Sequence, residues 1–276
     1  MNSVGLVTMT ALLVIPASAA LLLMLLTGYR LGARLNVGAA LLSLLAAFTL
    51  FEARPDANAY LRVDDFNIYL IVLNNWVSFT TSLFSASYIA HELETGRLTP
   101  AYLRFYHATY QALIFAMNLA LLANNIGLLW VAIELATLIT VLMVGLYRTR
   151  AALEAAWKYF ILGSLGIALA LFGTTLVYLA AQPAMGQGLP AMAWDQLLAN
   201  AAAFDPALLN LAFVFLLLGY GTKAGLVPLH AWLPDAHAEG PTPISAVLSG
   251  LLLNVAQYAV LRFKMLMSAN PKALAP

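Results

Sequence analysis

The sequence predicts an all-α, polytopic membrane protein with about eight transmembrane helices, each an apolar run near the ~20 residues a span needs. Composition is the first reason. Hydrophobic residues make up 63% of the 276 positions and charged residues only 9%, whereas a soluble domain carries roughly 25% charge. So few charges do not cover a water-facing surface of this size, and lipid must be the solvent for most of the chain. The second reason is pattern. The apolar residues fall in long runs separated by short polar connections, with no soluble domain, strand-rich region or low-complexity segment between them.

Taken in order, the candidate spans are 4–27, 32–51, 66–90, 105–123, 126–147, 155–181, 208–228 and 244–267. The first, within "MNSVGLVTMTALLVIPASAALLLMLLTGYR", lacks a basic leader and outruns the ~7–15-residue core of a cleaved signal. It reads as a spanning helix. The second connection, "EARPDANAYLRVDDF", is polar and long enough only for a hairpin or a loop. The fourth and fifth spans are split by Asn124 and Asn125 alone, which makes them a tight helical hairpin. After the sixth comes "QPAMGQGLPAMAWDQLLANAAAFDPA", whose amphipathic stretch around Trp194–Leu198 suits either the membrane interface or a surface loop.

Lysine and arginine placement sets the orientation. The odd-numbered connections carry Arg30 and Arg34, Arg97 and Arg104, and Arg148 and Arg150. The even-numbered ones carry only Arg54 and Arg62. The odd connections are therefore expected in the cytoplasm and the N-terminus outside. Arg262 and Lys264, near the end of the eighth span, run against this rule and are expected to snorkel to the outer interface.

The net charge of +1 gives no reason to expect nucleic acid as a partner. The absence of cysteine excludes thiolate-held iron–sulfur clusters, disulfides and thiol nucleophiles from the chain. An ionisable residue deep in a span costs about 2.5–3.5 kcal/mol on insertion scales, so such residues are few and functional by default. Glu134 is about 12 Å into the fifth span at 1.5 Å per residue. Lys223 lies near the middle of the Leu208–Leu233 apolar stretch, among Gly219, Gly221 and Gly225. Pro228 follows, and its missing donor is expected to break or kink the helix just beyond the lysine. Broken helices at membrane depth line cavities or are buried in protein. Lys158 sits early in the sixth span, four residues after Glu154.

Each has a blander reading. Lys158 at the interface with Glu154 as an i,i+4 partner is as good a reading as a relay residue. Glu134 and Lys223 as a structural ion pair, and the glycines as packing residues, remain open. His230, Asp235, His237 and Glu239 do not have ligand spacing across Pro234, so no metal and no cofactor are expected. His230 remains a candidate relay member because imidazole titrates near neutrality. "PDAH" and "EGPTP" read as the turn that starts the eighth span.

The stretch "KAGLVPLHAWLPDAHAEGPTPISAVLSG", with "NNIGLLWVAIELATL" and "AAWKYFILGSLG", resembles the antiporter-like membrane subunits. This family is shared by respiratory complex I, multisubunit cation/proton antiporters and membrane-bound hydrogenases. "LLLNVAQYAVLRFK" is most similar to its hydrogenase-4 component F branch. The resemblance covers about residues 105–267, spans four to eight. It implies two inverted five-helix repeats, each with a broken helix and a proton half-channel. Residues 1–104 are then three flanking helices, 105–267 one such repeat with a broken seventh helix, and 268–276 a truncated tail, since the family continues into a second repeat.

The resemblance also implies roles. Glu134 pairs with Lys223, and Lys158 and His230 serve the proton relay. Where some relatives carry an eighth-span lysine, this chain has Asn254, which hydrogen-bonds water but holds no proton. The expected function is a proton-translocating, non-catalytic membrane subunit of a redox-driven oxidoreductase complex, of the hydrogenase-4 or NADH dehydrogenase-like type, in a bacterial-type inner membrane. Partner subunits would hold the redox cofactors. The alternatives are a cation/proton antiporter subunit without redox partners and a truncated scaffold that conducts nothing.

Overall fold

In a computed structural model, which describes residues 3–26 and 28–273, the chain is a bundle of long helices. They are α1 (Ser3–Leu25), α2 (Tyr29–Thr49), α3 (Asn67–Glu94), α4 (Pro100–Leu122), α5 (Ile126–Val144) and α6 (Arg150–Met185). A short helix, α7 (Trp194–Asn200), precedes α8 (Pro206–Ala224). Two more short helices follow, α9 (Leu233–Glu239) and α10 (Thr242–Val247). A π-helical segment, Leu248–Leu252, then joins α10 to α11 (Leu253–Ser268). Among the described residues no β-strand forms beyond the isolated bridges Leu61–Ala123 and Asn125–Ala193.

Six of these stretches are long and apolar enough to cross a membrane: Val4–Leu25, Tyr29–Thr49, Ile126–Tyr147, Arg150–Met185, Pro206–Ala224 and Thr242–Ser268. The expected third and fourth spans correspond to α3 and α4, which have the length, 28 and 23 residues, but are more polar. Their buried faces carry Asn74, Asn75, Ser78, Thr81, Ser82 and Ser85 on α3 and His107, Thr109, Gln111 and Asn118 on α4. These polar groups face protein, so they lower mean hydropathy without facing lipid. α6 overruns its expected span: 36 residues make a rod of about 54 Å at 1.5 Å per residue, against a hydrocarbon core of about 30 Å.

Local chemistry fixes where helices begin. Asn125 caps α5 by accepting from the Gly127 and Leu128 amides, both at 3.0 Å. Thr149 caps α6 through Ala152 at 3.0 Å, and Asp205 caps α8 through Ala207 at 2.8 Å. Each satisfies backbone donors that a helix start leaves unpaired.

α6 and α8 pack closely along glycines. A Cβ on Gly219 would fall 2.6 Å from the Gly166 carbonyl oxygen, and one on Gly173 would fall 2.9 Å from that of Ala212. Only glycine permits this approach, the small-residue packing expected where lipid supplies no hydrophobic drive.

At one end of the bundle, the 50–66 loop, the α4–α5 junction and α7 close over the helices. Asn124 donates to the Asn58 carbonyl at 2.7 Å and to Asp195 at 3.0 Å. Asn270 donates to the carbonyls of Ala201 and Phe204 at 2.9 and 3.0 Å. The stretch around Trp194 is therefore a short helix docked on the bundle and not a plain loop. Trp194 and Leu197 are buried, and Trp194 meets the ring of Phe263 edge-on. Arg262 also departs from expectation. It does not snorkel but is 4% exposed, paired with Asp64 at 2.7 Å and bonded to the Tyr258 hydroxyl at 2.9 Å. Its partner lies in the distant 50–66 loop, which draws the guanidinium inward. Lys264, two residues on, lines a recess open to the surroundings.

Candidate proton-transfer site

The site is built where α8 stops. α8 ends at Ala224, one residue after Lys223, and Gly225 terminates it at φ 74°, its amide bonding the Thr222 carbonyl at 3.2 Å. That left-handed conformation costs glycine little and other residues more. The break therefore comes three residues before Pro228, and its agent is a glycine. Pro228 lies in the irregular turns that run from there to α9.

Lys223 is 1% exposed. Its ammonium donates to the Tyr159 hydroxyl on α6. It also lies 4.3 Å from the centroid of the Tyr159 ring and 5.6 Å from that of Trp232. These two rings stack, centroids 4.3 Å apart. Trp232 is tied back to the broken end of α8 by its indole N–H, which donates to the Thr222 carbonyl at 2.9 Å. The aromatic faces and the hydroxyl give the buried cation electrostatic support.

The hydrogen-bond directions decide what Tyr159 does. Thr140 on α5 donates to the Ala136 carbonyl at 2.8 Å, so its oxygen accepts from Tyr159 at 2.7 Å. Tyr159 therefore donates to Thr140 and accepts from Lys223. The chain ends on a helix carbonyl, which takes up no proton. Tyr159 and Thr140 fix where the Lys223 ammonium sits.

Glu134 on α5 is half-buried, and its Oε2 is buried without a hydrogen-bond partner. It is coupled to Lys223 through space by charge. Among the described residues the two are not joined by an ion pair within 4 Å. The arrangement is a carboxylate and an ammonium that sense each other without contact.

The other predicted residues lie apart. Lys158 is half-exposed and pairs with Glu154 at 2.8 Å and with Asp235 of α9 at 2.9 Å. A recess of about 130 Å³ lies beside it, lined also by Ala151, Ala155, Ala238 and Glu239. His230 is half-buried in the turns after the break, its Nδ1 buried without a partner. Asn254 donates back to the Gly250 carbonyl in the π-helical segment at 2.6 Å. No group of three or more His, Cys, Asp or Glu side chains is placed to hold a metal among the described residues.

Sequence reasoning missed Tyr159, Thr140 and Trp232. The adjacency of Tyr159 to Lys158 was visible, but an aromatic at helical spacing looks like core.

Residues 123–275, more than half of the chain and including α5, the broken α8 and α11, match the family described as NADH:quinone oxidoreductase/Mrp antiporter, transmembrane. The chain belongs to that family. Its members form the antiporter-like membrane subunits of the hydrogenase-4 and complex I type. A hydrogenase-4 component F homolog of Methylacidiphilum infernorum is 61% identical over 96% of this chain and 56% of its own length. Subunit N of the NADH-quinone oxidoreductase of Rhodococcus opacus is 33% identical over 67% of this chain and 33% of its own. Among solved structures, a chain of respiratory complex I from Thermus thermophilus superposes with TM-score 0.72 at 25% identity, covering 92% of this chain and 52% of that one. A chain of an archaeal membrane-bound sulfane sulfur reductase shares the fold, with TM-score 0.80 at 20% identity over 97% of this chain and 54% of that one. The chain thus spans about half or less of the length of these relatives.

Proposed function

We propose that this chain acts as a proton-translocating membrane subunit of a redox-driven complex of the hydrogenase-4 or NADH:quinone oxidoreductase type, with Lys223 as the proton carrier. One observation carries the reading: a fully buried lysine beside a helix break, positioned by Tyr159 and facing a half-buried carboxylate that it does not touch. A structural ion pair closes to contact to offset desolvation. This pair is left open.

An ionised Glu134 nearby stabilises the ammonium form of Lys223, and moving it away favours the neutral amine. A shift of one group against the other then loads or releases one proton at Nζ. Water reaching the break delivers the proton, and His230 and the Lys158 recess line the approach. Residues 105–267 act as the repeat and residues 1–104 as flanking helices. Asn254 serves as a water ligand. The redox chemistry belongs to partner subunits. The arginine-rich connections orient the N-terminus outside and the break toward the cytoplasm of a bacterial-type inner membrane.

The test is Lys223→Ala in the assembled complex, with a pH-sensitive dye reporting proton movement. Translocation should fall to background while the complex still assembles. Unchanged translocation would sink the proposal. A response that depends on sodium or potassium and not on electron flow would favour the antiporter reading.

A further inference from the structure

A second set of buried polar groups lies away from Lys223, between α2 and α4. Gln111 donates from Nε2 to the Asn36 backbone carbonyl at 3.0 Å and to its side-chain oxygen at 2.8 Å. One turn earlier, the Cβ that Gly32 lacks would stand 3.8 Å from Cδ2 of His107. Both contacts have the same sequence offset of 75, so the two helices run parallel in fixed register. The same offset sets Ser43 level with Asn118. Asn118 in turn accepts from Asn74 and Asn75 of α3 at 2.9 Å each and donates to the Leu12 carbonyl at 3.1 Å. The seam from His107 to Asn118 is about 16 Å long at 1.5 Å per residue.

Its side chains are all but sealed. Asn36, Ser43 and Gln111 are 0% exposed and His107 is 1% exposed. Yet Nδ2 of Asn36, Oγ of Ser43, Oε1 of Gln111 and both ring nitrogens of His107 have no hydrogen-bond partner. Buried polar groups are ordinarily satisfied by protein or by ordered water. The unpartnered atoms include an amide donor and an amide acceptor, together with a hydroxyl and an imidazole that need both. A metal cation would leave the Asn36 donor unmet, and an anion would leave the Gln111 acceptor unmet. Water donates and accepts, and a buried molecule typically makes about three such bonds. Of the seam's side chains, only His107 carries a group able to bind and release a proton.

We infer that the α2–α4 seam holds a file of ordered waters that carries protons to His107, a proton-holding position outside the Lys223 constellation. The waters bridge Ser43, Asn36 and Gln111 and end on the imidazole. A proton arriving on the file binds the free ring nitrogen, and the other N–H returns one to water.

The chain has no cysteine, so a single introduced thiol can be followed cleanly. In the full-length protein in lipid nanodiscs, Ser43→Cys should react with a small neutral methanethiosulfonate roughly 10-fold faster than Ala132→Cys, because only a hydrated thiol ionises. Ala132 is equally buried, in the apolar core on α5. Equal rates would overturn the water file. This comparison needs no proton translocation, so it fails or succeeds independently of the Lys223 proposal. In the assembled complex, which rests on that proposal, His107→Gln should leave Ser43→Cys labelling unchanged and lower proton translocation several-fold. Unchanged translocation, in a complex where Lys223→Ala abolishes it, would overturn the role of His107.

Discussion

Arg262 and Lys223 are both buried cations, 4% and 1% exposed, but their surroundings differ in kind. Arg262 meets the Asp64 carboxylate at 2.7 Å and the Tyr258 hydroxyl at 2.9 Å. It lies within 5.5 Å of the ring centroids of Phe66, Trp194 and Tyr258. Lys223 has the aromatic faces and one hydroxyl, but its carboxylate stands off. The arginine is neutralised in place and ties the 50–66 loop to α11. The lysine keeps a charge whose balance depends on where Glu134 lies. A guanidinium stays protonated at any ordinary pH, whereas a lysine amine can lose its proton when buried. The difference separates a charge used as a fastener from the charge that the proposed function uses as a carrier.

The sharpest way to break this contrast is at Arg262. Arg262→Ala leaves the Asp64 carboxylate without its main partner and should cost about 3 kcal/mol of stability, read as a fall in Tm in detergent. Replacing both partners, Arg262→Met with Asp64→Leu, should recover only part of that loss, because the Phe66 and Asn67 amides lose the oxygen that accepts from them at 3.0 and 2.9 Å. The pair also has an acid limit. Burial pushes the Asp64 carboxyl up, but hydrogen bonding and charge from Arg262, the Asn67 amide and the charge of Arg62 together hold it below its ordinary 3.8. Its contribution is therefore complete above that value and is lost as pH falls through the lowered one. The Tm difference between wild type and Asp64→Asn should stay constant near neutrality and shrink below about pH 4.

At Lys223 the expected balance is reversed, with function changing more than stability. Tyr159→Phe keeps the stacking on Trp232 and removes only the hydroxyl. Proton translocation should fall about 10-fold, with no more than about 1 kcal/mol lost in stability. Equal translocation would mean that Tyr159 does not position the lysine. Gly225→Ala puts a side chain at φ 74° and within 3.2 Å of Leu233 Cδ2, which should cost about 1 kcal/mol. It should shift the helix end and slow translocation without abolishing it. The smallest effect is expected at the surface: Lys158→Gln breaks two half-exposed pairs and should leave Tm unchanged, salt having screened them already.

The parts of the fold legible in the sequence were those where a residue contradicts its local surroundings. Glu134 and Lys223 stand out as charges inside apolar runs, and Asn124 with Asn125 as the one break between two. Arg262 misled because its partner lies nearly 200 positions away, and local spacing carries no trace of Asp64. Tyr159, Thr140 and Trp232 were hidden for the opposite reason: they suit a helix core so well that nothing marks them. The helix break was expected from Pro228, the stronger breaker by propensity. Gly225 acts first, because ending a helix requires a residue able to turn left-handed. α3 and α4 were read as ordinary spans, although their buried polar faces give them a different solvent.

Lys158 and Tyr159 are consecutive on α6, so their side chains leave the helix about 100° apart at 3.6 residues per turn. One reaches outward to Asp235 of α9, and the other reaches inward to Lys223 and stacks on Trp232. The segment after the break is thus gripped from both sides by two adjacent residues of one long rod. If that segment slides along α6, the outer ion pair to Asp235 and the inner stack on Trp232 must shift together. α6 then works as a crank: displacement applied at Asp235 is delivered, within one peptide unit, to the aromatic pair that holds Lys223, the proposed proton carrier.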